Sequence, residues 1–233
     1  MVNSIDVVRV GKASLMNCDC MEFMATLPDK AFDLAIVDPP YGINSTGNNL
    51  QRLNGSGGKL KNRVLNSSKK ITWDNEIPTE KYFAEIFRVS RNQIIWGGNY
   101  FNLPPTRCVI VWDKCQPWEN FSQVELAWTS FASPAALFKF DNRTGGKIHP
   151  TQKPIELYSY LLAKYAKHGD RILDTHLGSM SSVIACENLG FEITGCELDK
   201  EYFDAGCQRV RDSQRQGRLF EAAPVLPEQG RLI

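Results

Sequence analysis

Asp38-Pro39-Pro40-Tyr41 is the stretch best equipped for chemistry. A carboxylate, two prolyl carbonyls and a phenol ring stand together directly after the apolar, β-branched run Phe32-Asp33-Leu34-Ala35-Ile36-Val37. That run reads as a buried strand. Neither proline has an N–H to donate to a ladder, so the strand stops there. The four residues are thus presented at the carboxyl end of a central strand, the edge of an open α/β sheet at which ligands bind. The same residues also describe a strand ending in a Pro-Pro turn with Asp38 as its cap.

A second constellation lies in the C-terminal half. Arg171-Ile172-Leu173-Asp174 reads as a strand and Thr175 to Ser182 as a polar turn. Val183 to Leu189 reads as a helix ended by Gly190, and Glu192 to Glu197 as the next strand. Strand, glycine turn, helix, strand and acid is the order of a nucleotide-binding unit. Gly178 lets the backbone approach a ligand closely, and the helix N-terminus offers unpaired N–H groups. Glu197, about 20 residues on, is placed to accept both hydroxyls of a ribose. The turn Gly178-Ser179-Met180-Ser181-Ser182 is not G-x-G-x-x-G, and a purely structural strand–helix corner has the same look.

The elements that must position these groups follow from periodicity. Ala13 to Cys18 reads as a short strand and Met21 to Leu27 as a short helix that Asp19 is placed to cap. Pro78 to Ser90 reads as an amphipathic helix with Tyr82, Phe83, Ile86, Phe87 and Val89 on its core face and Thr79 at its cap. Gln93 to Trp96 reads as a strand ending at Gly97-Gly98-Asn99-Tyr100. Val109 to Trp112 and Val124 to Trp128 are two strands close enough to form an antiparallel hairpin, with Trp112, Trp118 and Trp128 as packing residues. Pro154 opens a helix whose Leu157, Tyr158, Leu161, Leu162 and Tyr165 recur at core spacing, and Gly169 ends it. Lys200 to Val210 is the last helix, and the tail 211–233 reads as loosely ordered. Strands alternating with helices give a mostly parallel α/β sheet, with the hairpin adding antiparallel strands.

Residues 44–72 differ in character. Gly, Ser and Asn dominate, and Arg52, Lys59, Lys61, Arg63, Lys69 and Lys70 occur with no acidic residue among them. A basic loop directly after the Asp38 stretch suits a polyanion such as DNA phosphates; it also reads as a solvated linker. Elsewhere composition excludes more than it assigns. A chain of 233 residues with 42% apolar residues supports one ample domain, here 1–210. Formal net charge is +1, so any basic surface is local. The seven cysteines are scattered and the three histidines far apart, so no zinc spacing exists and reduced thiols are expected. No signal peptide and no membrane-spanning run is read, and the chain is expected in the cytoplasm of a bacterial or phage-infected cell.

Taken together the motifs resemble those of the β class of DNA amino-methyltransferases, in which the catalytic motif precedes the cofactor motif. Asp38-Pro39-Pro40-Tyr41 comes first, then His149-Pro150-Thr151-Gln152-Lys153-Pro154, then Asp174 to Ser179, then Glu197. The resemblance covers residues from about 14 to 210. It implies a Rossmann-like, S-adenosylmethionine-dependent methyltransferase fold with a mostly parallel seven-stranded sheet. It implies methyl transfer to the N6 amine of adenine in double-stranded DNA by base flipping, without a metal, in a class whose members often dimerise and serve restriction-modification or phages. Asp38 would accept one N–H of the amine and the Pro39 carbonyl the other, with Pro40 completing the turn and Tyr41 stacking on the base. It assigns Asp19 to the cofactor's adenine, Glu197 to its ribose, and Thr151 and Lys153 to its methionine end. His149, Asp174, His176, Gly178 and Ser179 would line the same pocket; His149 reads equally as a turn residue.

The sequence departs from the family pattern in two places. The family's cofactor motif D-P-F-x-G-S-G here reads Asp174-Thr175-His176-Leu177-Gly178-Ser179-Met180. Met180 is strained if its position needs a positive φ. Little chain separates Trp128 from His149, where the class houses its target-recognition domain, which leaves loop 44–72, residues 130–148 or a partner to select the sequence. Cytosine-N4 methylation is the alternative activity, because S-P-P-Y is its more usual motif. A DNA-binding relative with a damaged cofactor site would bind no S-adenosylmethionine, and N-P-P-Y is more usual for protein-amide or RNA substrates.

Overall fold

The computed structural model describes residues 6–43, 77–116, 122–141, 148–149 and 151–219. Loop 44–72 with Arg52, Lys59, Lys61, Arg63, Lys69 and Lys70 lies outside them, as do Trp118, Pro150 and the chain beyond residue 219.

Strands β1 (Val7–Val10), β2 (Ala13–Met16), β3 (Phe32–Val37), β4 (Ser90–Trp96), β5 (Val109–Asp113), β6 (Val124–Thr129), β7 (Ala136–Lys139), β8 (Arg171–Asp174) and β9 (Glu192–Cys196) form one sheet in the order β1-β2-β9-β8-β3-β4-β6-β5-β7. Helices α1 (Cys20–Ala25), α2 (Glu80–Val89), α3 (Ile155–Tyr165), α4 (Ser181–Leu189) and α5 (Lys200–Leu219), with a 3-10 turn at Gly98–Tyr100 after β4, complete the described elements. The centre, β2-β9-β8-β3-β4, is parallel throughout; β1 on β2, and β6 on both β4 and β5, are antiparallel. The fold class is the expected one, and β5 and β6 form the expected hairpin.

From Leu34 to Val37 the central strand is apolar because both its faces are covered. Leu34 and Ile36 pack into the cluster containing Leu157, Leu161 and Val183. Ala35 and Val37, one residue out of phase, pack with Tyr82, Phe83 and Ile86. Successive side chains point to opposite faces, so a strand sandwiched by α2 and α3 shows a continuous hydrophobic run. From β3 the chain winds through α2 to β4 on one side, and from β8 through α4 to β9 on the other. The winding reverses between β3 and β8, and their carboxyl ends, Asp38 and Thr175, open onto that crevice.

Several elements differ from the sequence expectation. Two strands extend the sheet. Val7–Val10 pairs antiparallel with β2, and Ala136–Lys139 pairs parallel with β5 inside the stretch considered for target recognition. Both are four-residue edge strands, too short for alternation to stand out. The helix α3 ends at Tyr165, whose following residue Ala166 donates its N–H to Leu162; Gly169 sits in the turn beyond at φ +91°. The helix after the glycine turn starts at Ser181 rather than Val183. The tail is not loose from residue 211: α5 runs to Leu219. Phe203, Cys207 and Val210 bury one stripe of it, and Arg209 Nη1 donates to the Ser179 carbonyl at 2.5 Å. Further on, Gln214 donates to Glu187 at 2.9 Å, and Gln208 and Arg215 both reach Asp212. These polar anchors carry no apolar periodicity, so the sequence hides them.

Met180 does sit in the left-handed region, at φ +57° and ψ +30°, directly before α4. Its side chain is fully buried, in the same cluster as Val183 and Phe203. The space comes from Gly206 on α5, where a Cβ would lie 2.7 Å from Met180 Cγ. A left-handed residue other than glycine costs about 1–2 kcal/mol, whereas deleting a buried methionine side chain costs roughly 2–5 kcal/mol. Met180→Gly is therefore expected to lower stability by a net ~1–3 kcal/mol in thermal or urea unfolding. A more stable variant would show that backbone strain outweighs packing.

All seven cysteines are free. No described helix is long and apolar enough to cross a membrane, and no cluster of His, Cys, Asp and Glu among the described residues could hold a metal ion.

Candidate functional site

The centre of the site is built at the end of β3. The Asp38 carboxylate accepts a hydrogen bond from Tyr41 Oη at 2.5 Å through Oδ1, and its Oδ2 lies 2.6 Å from Lys153 Nζ. Lys153 also donates to Tyr41 Oη at 3.2 Å and meets Glu125 Oε2 at 3.0 Å; Glu125 Oε1 meets Lys114 Nζ at 2.5 Å. Four charges thus alternate in sign: Asp38, Lys153, Glu125, Lys114. Lys153 is the most enclosed, with its side chain 3% exposed and its ammonium over the faces of Trp96 and Tyr41. An isolated ammonium at such a position would lose its charge.

The pKa shifts follow this geometry. Burial pushes the Asp38 carboxyl up, while Lys153 and the Tyr41 hydroxyl pull it down without cancelling the rise. Burial opposes the Lys153 charge, yet Asp38 and Glu125 hold its ammonium above the ordinary lysine value. Burial also acts to raise Glu125, but Lys153 and Lys114 together bring it down to about 2. Tyr41 is pushed well up, by burial and then by Asp38, so it stays a hydroxyl donor.

The Tyr41 ring is placed by the turn after β4. It stacks on Tyr100, with centroids 5.1 Å apart and planes 17° apart, and meets the edge of Phe101. Gly97, at φ +72°, makes room, because a Cβ there would run into Tyr41 Cε1. Tyr100 remains 42% exposed, so the aromatic layer opens to solvent.

The second half of the site lines the ends of β8 and β9. Asp174 is buried; its Oδ2 accepts from Ser182 Oγ at 2.6 Å and its Oδ1 from the His176 N–H at 3.0 Å. Burial outweighs both contacts and pushes its carboxyl up to about 7. His176 Nδ1 lies 3.0 Å from Thr175 Oγ1, which in turn lies 2.7 Å from Tyr82 Oη. Glu197 Oε2 accepts from the Gly178 N–H at 2.8 Å and Oε1 from the Asp199 N–H at 2.9 Å. Burial raises this carboxyl, and those two N–H groups oppose the rise. Gly178, at φ +48°, faces the His149 ring, from which a Cβ would stand 3.7 Å. His149 in turn packs against Tyr202 at 4.4 Å and bonds Thr151 Oγ1 at 3.1 Å.

Burial lowers the His176 imidazole to about 4, against a weaker opposing pull from Asp19. A histidine whose folded pKa lies below its unfolded value of about 6.5 leaves stability intact above that pH and erodes it as pH falls toward 4. His176→Phe is expected to remove part of this acid-side loss, of order 2 kcal/mol, in unfolding measured at several pH values. Asp174 acts with the opposite sign over the same range, so the comparison is made between variant and wild type. An unchanged acid limb would show that His176 is already charged in the folded protein.

The site residues read from the sequence gather on this crevice, with qualifications. Asp19 caps α1, accepting from the Met21 N–H at 2.6 Å, and lies near enough to act on His176. Ser179 is buried, with its hydroxyl 3.2 Å from that of Ser181 and its carbonyl taken by Arg209. Thr151 is exposed. Lys153 is engaged with Asp38, which its place in the H-P-T-Q-K-P stretch does not announce. Glu125, read from the sequence only as part of a strand, and Lys114 are not among the site residues expected from the sequence. Glu125 does carry a signal: it faces Trp112 across the β5–β6 pair and shares that inward face with Ala127 and Thr129, both fully buried.

Comparisons with known proteins bear on the same crevice. Residues 108–208 match the model of the N6/N4 family described as DNA methylase. The type II methyltransferase M2.DpnII of Streptococcus pneumoniae is 24% identical over 251 residues, covering 85% of this chain and 90% of the relative. A crystal structure of an M1.HpyAVI–SAM complex superposes with TM-score 0.55 at 18% identity, over 85% of this chain and 98% of the other. The cytosine-N4-specific PvuII DNA methyltransferase superposes with TM-score 0.55 at 14% identity, over 88% and 92%.

Proposed function

We propose, for a chain whose residues 108–208 match the N6/N4 DNA methylase family model, transfer of a methyl group from S-adenosylmethionine to the exocyclic N6 amine of adenine in DNA. The observation that carries the reading is the Asp38 carboxyl at the β3 end, 2.6 Å from Lys153 Nζ and bordered by the Tyr41 ring. An aromatic exocyclic amine is a poor nucleophile because its lone pair is delocalised into the ring. Asp38 accepts one N–H and the Pro39 carbonyl the other, which favours a tetrahedral nitrogen whose lone pair is free to attack. Asp38 then stabilises the positive charge that grows on that nitrogen, and its burial-raised carboxyl is suited to take the departing proton. The layer of Tyr41 and the part-exposed Tyr100 is the aromatic surface a base taken out of the duplex would meet.

The residues present fit the cofactor. Glu197 ends β9 with lone pairs left over for a vicinal diol, and Gly178 opposite His149 leaves a gap that a side chain would narrow. Glu197 would hold the ribose, Asp19 the adenine, Thr151 the methionine end, and Asp174, His176 and Ser179 the wall between. The group supplies an electrophilic methyl on a sulfonium, which leaves as a neutral thioether. The basic residues of loop 44–72, Arg52 to Lys70, would supply the local positive charge for DNA phosphates.

Cytosine-N4 transfer is the second reading, favoured by the fold shared with a cytosine-N4-specific enzyme. Labelled methyl transfer to unmethylated DNA followed by nucleoside analysis tests both. N6-methyladenine is expected; N4-methylcytosine would replace the base assignment. Neither transfer nor S-adenosylmethionine binding would point to a DNA-binding relative.

A further inference from the structure

Glu125 has no part in the reaction above, yet it faces the acceptor carboxylate through a single ammonium. Strand β6 turns it inward, where Oε2 is sealed from solvent and meets Lys153 Nζ at 3.0 Å while Oε1 meets Lys114 Nζ at 2.5 Å. Lys153 stands between two carboxylates, 2.6 Å from Asp38 on the other side. Burying such a chain of charges is expensive, and apolar residues of similar volume would serve stability as well. Its consequence falls on Asp38: an ammonium with one carboxylate partner neutralises it, and an ammonium shared by two does not.

We propose that Glu125, itself held by Lys114, is a positioning residue for methyl transfer: by sharing the Lys153 ammonium it keeps negative charge on Asp38 available to the target amine. The inference rests on the proposed methyl-transfer function and names what sets the strength of its acceptor. Besides Lys153 and Glu125, Asp38 is influenced by Tyr41 in its own turn, Tyr82 on α2, Tyr158 on α3 and Asp174 at the end of β8. The three phenols are pushed further up by burial and stay neutral. Asp174, pushed up to about 7, and Glu197, also raised by burial, are further carboxyls in the crevice, so Asp38 must be followed individually.

The test compares wild type, Glu125→Gln and Lys114→Met as full chains. Single-turnover transfer from S-adenosylmethionine to unmethylated DNA is measured across pH, and the Asp38 carboxyl is titrated by carbon-13 NMR. Activity needs Asp38 ionised and fades as pH falls through its pKa. Glu125→Gln is expected to lower the plateau rate about tenfold and to move both the acid limb and the Asp38 titration to lower pH. Lys114→Met is expected to move them the opposite way, and S-adenosylmethionine affinity stays within about twofold in both. An unchanged rate and titration in Glu125→Gln, or a slower rate with the Asp38 titration unmoved, overturns the proposal. A wild-type protein that binds S-adenosylmethionine but methylates no DNA would refute the function, while the NMR shift still decides whether Glu125 acts on Asp38. Should Glu125→Gln fail to fold, the shift in Lys114→Met decides alone.

Discussion

Asp38→Ala is expected to reduce methyl transfer by about 10³-fold or more while leaving S-adenosylmethionine binding within a few-fold of wild type. The substitution removes the proposed acceptor of the amine N–H and the charge proposed to stabilise the nitrogen as it becomes cationic. It does not strand Lys153, whose ammonium keeps Glu125 at 3.0 Å, so the crevice retains a paired cation. The residues proposed for the ribose end, Glu197 and Gly178, bond each other at the end of β9 and are untouched. Calorimetric titration with S-adenosylmethionine beside single-turnover transfer separates the two effects. Joint loss of binding and transfer would mean that Asp38 supports the pocket and does not act on the substrate. Asp38→Asn should fall between, because an amide oxygen still accepts one N–H but carries no charge.

Lys153→Met is expected to have the largest effect on stability. It leaves the Asp38 carboxylate in a part-buried site with the Tyr41 hydroxyl and no cation. Glu125 keeps Lys114 at 2.5 Å but now faces Asp38 without an intervening positive charge. Removing one partner of a buried pair costs about 3–5 kcal/mol, which for a chain of this size is a fall in melting temperature of roughly 10 °C. The sign with pH is diagnostic. Burial already raises the folded pKa of Asp38, and losing Lys153 raises it further. A carboxyl raised in the folded state favours folding when protonated, so the deficit should be small near pH 4 and open as pH rises above the unfolded value of about 3.9. Unfolding at acid and at neutral pH measures this directly, and an equal deficit at both would show lost packing over Trp96 instead. Adding Glu125→Gln should recover part of the neutral-pH loss, because it removes the carboxylate that then repels Asp38.

The local signals in the chain were strong where one segment answers to one burial pattern. Leu34 to Val37 is apolar because α2 and α3 cover both faces of β3. Pro39 and Pro40 end that strand whatever surrounds it, and so put Asp38 at a sheet edge. Gly178 and Glu197 keep the spacing of a strand–turn–helix–strand unit, and the structure joins them at 2.8 Å. The signals failed where a residue's state depends on a distant partner. The end of α5 is fastened by Arg209 on Ser179 and Gln214 on Glu187, contacts that leave no periodic trace. Met180 tolerates a left-handed backbone because Gly206, on another helix, leaves room for its side chain.

The sequence by itself therefore determined the alternation of strands and helices, the carboxyl-edge position of Asp38 and Tyr41, and the order of the Asp38 stretch before the Gly178 turn. Hydrophobic periodicity and the missing N–H of proline act within a few residues, and need nothing beyond them. Only the tertiary structure decided that Lys153, from the stretch before α3, pairs with Asp38, and that Glu125 and Lys114 from the hairpin complete the row of charges. Such pairing is fixed by which strand ends meet when the sheet closes, and by the loss of water that makes a charge without a counter-charge untenable there.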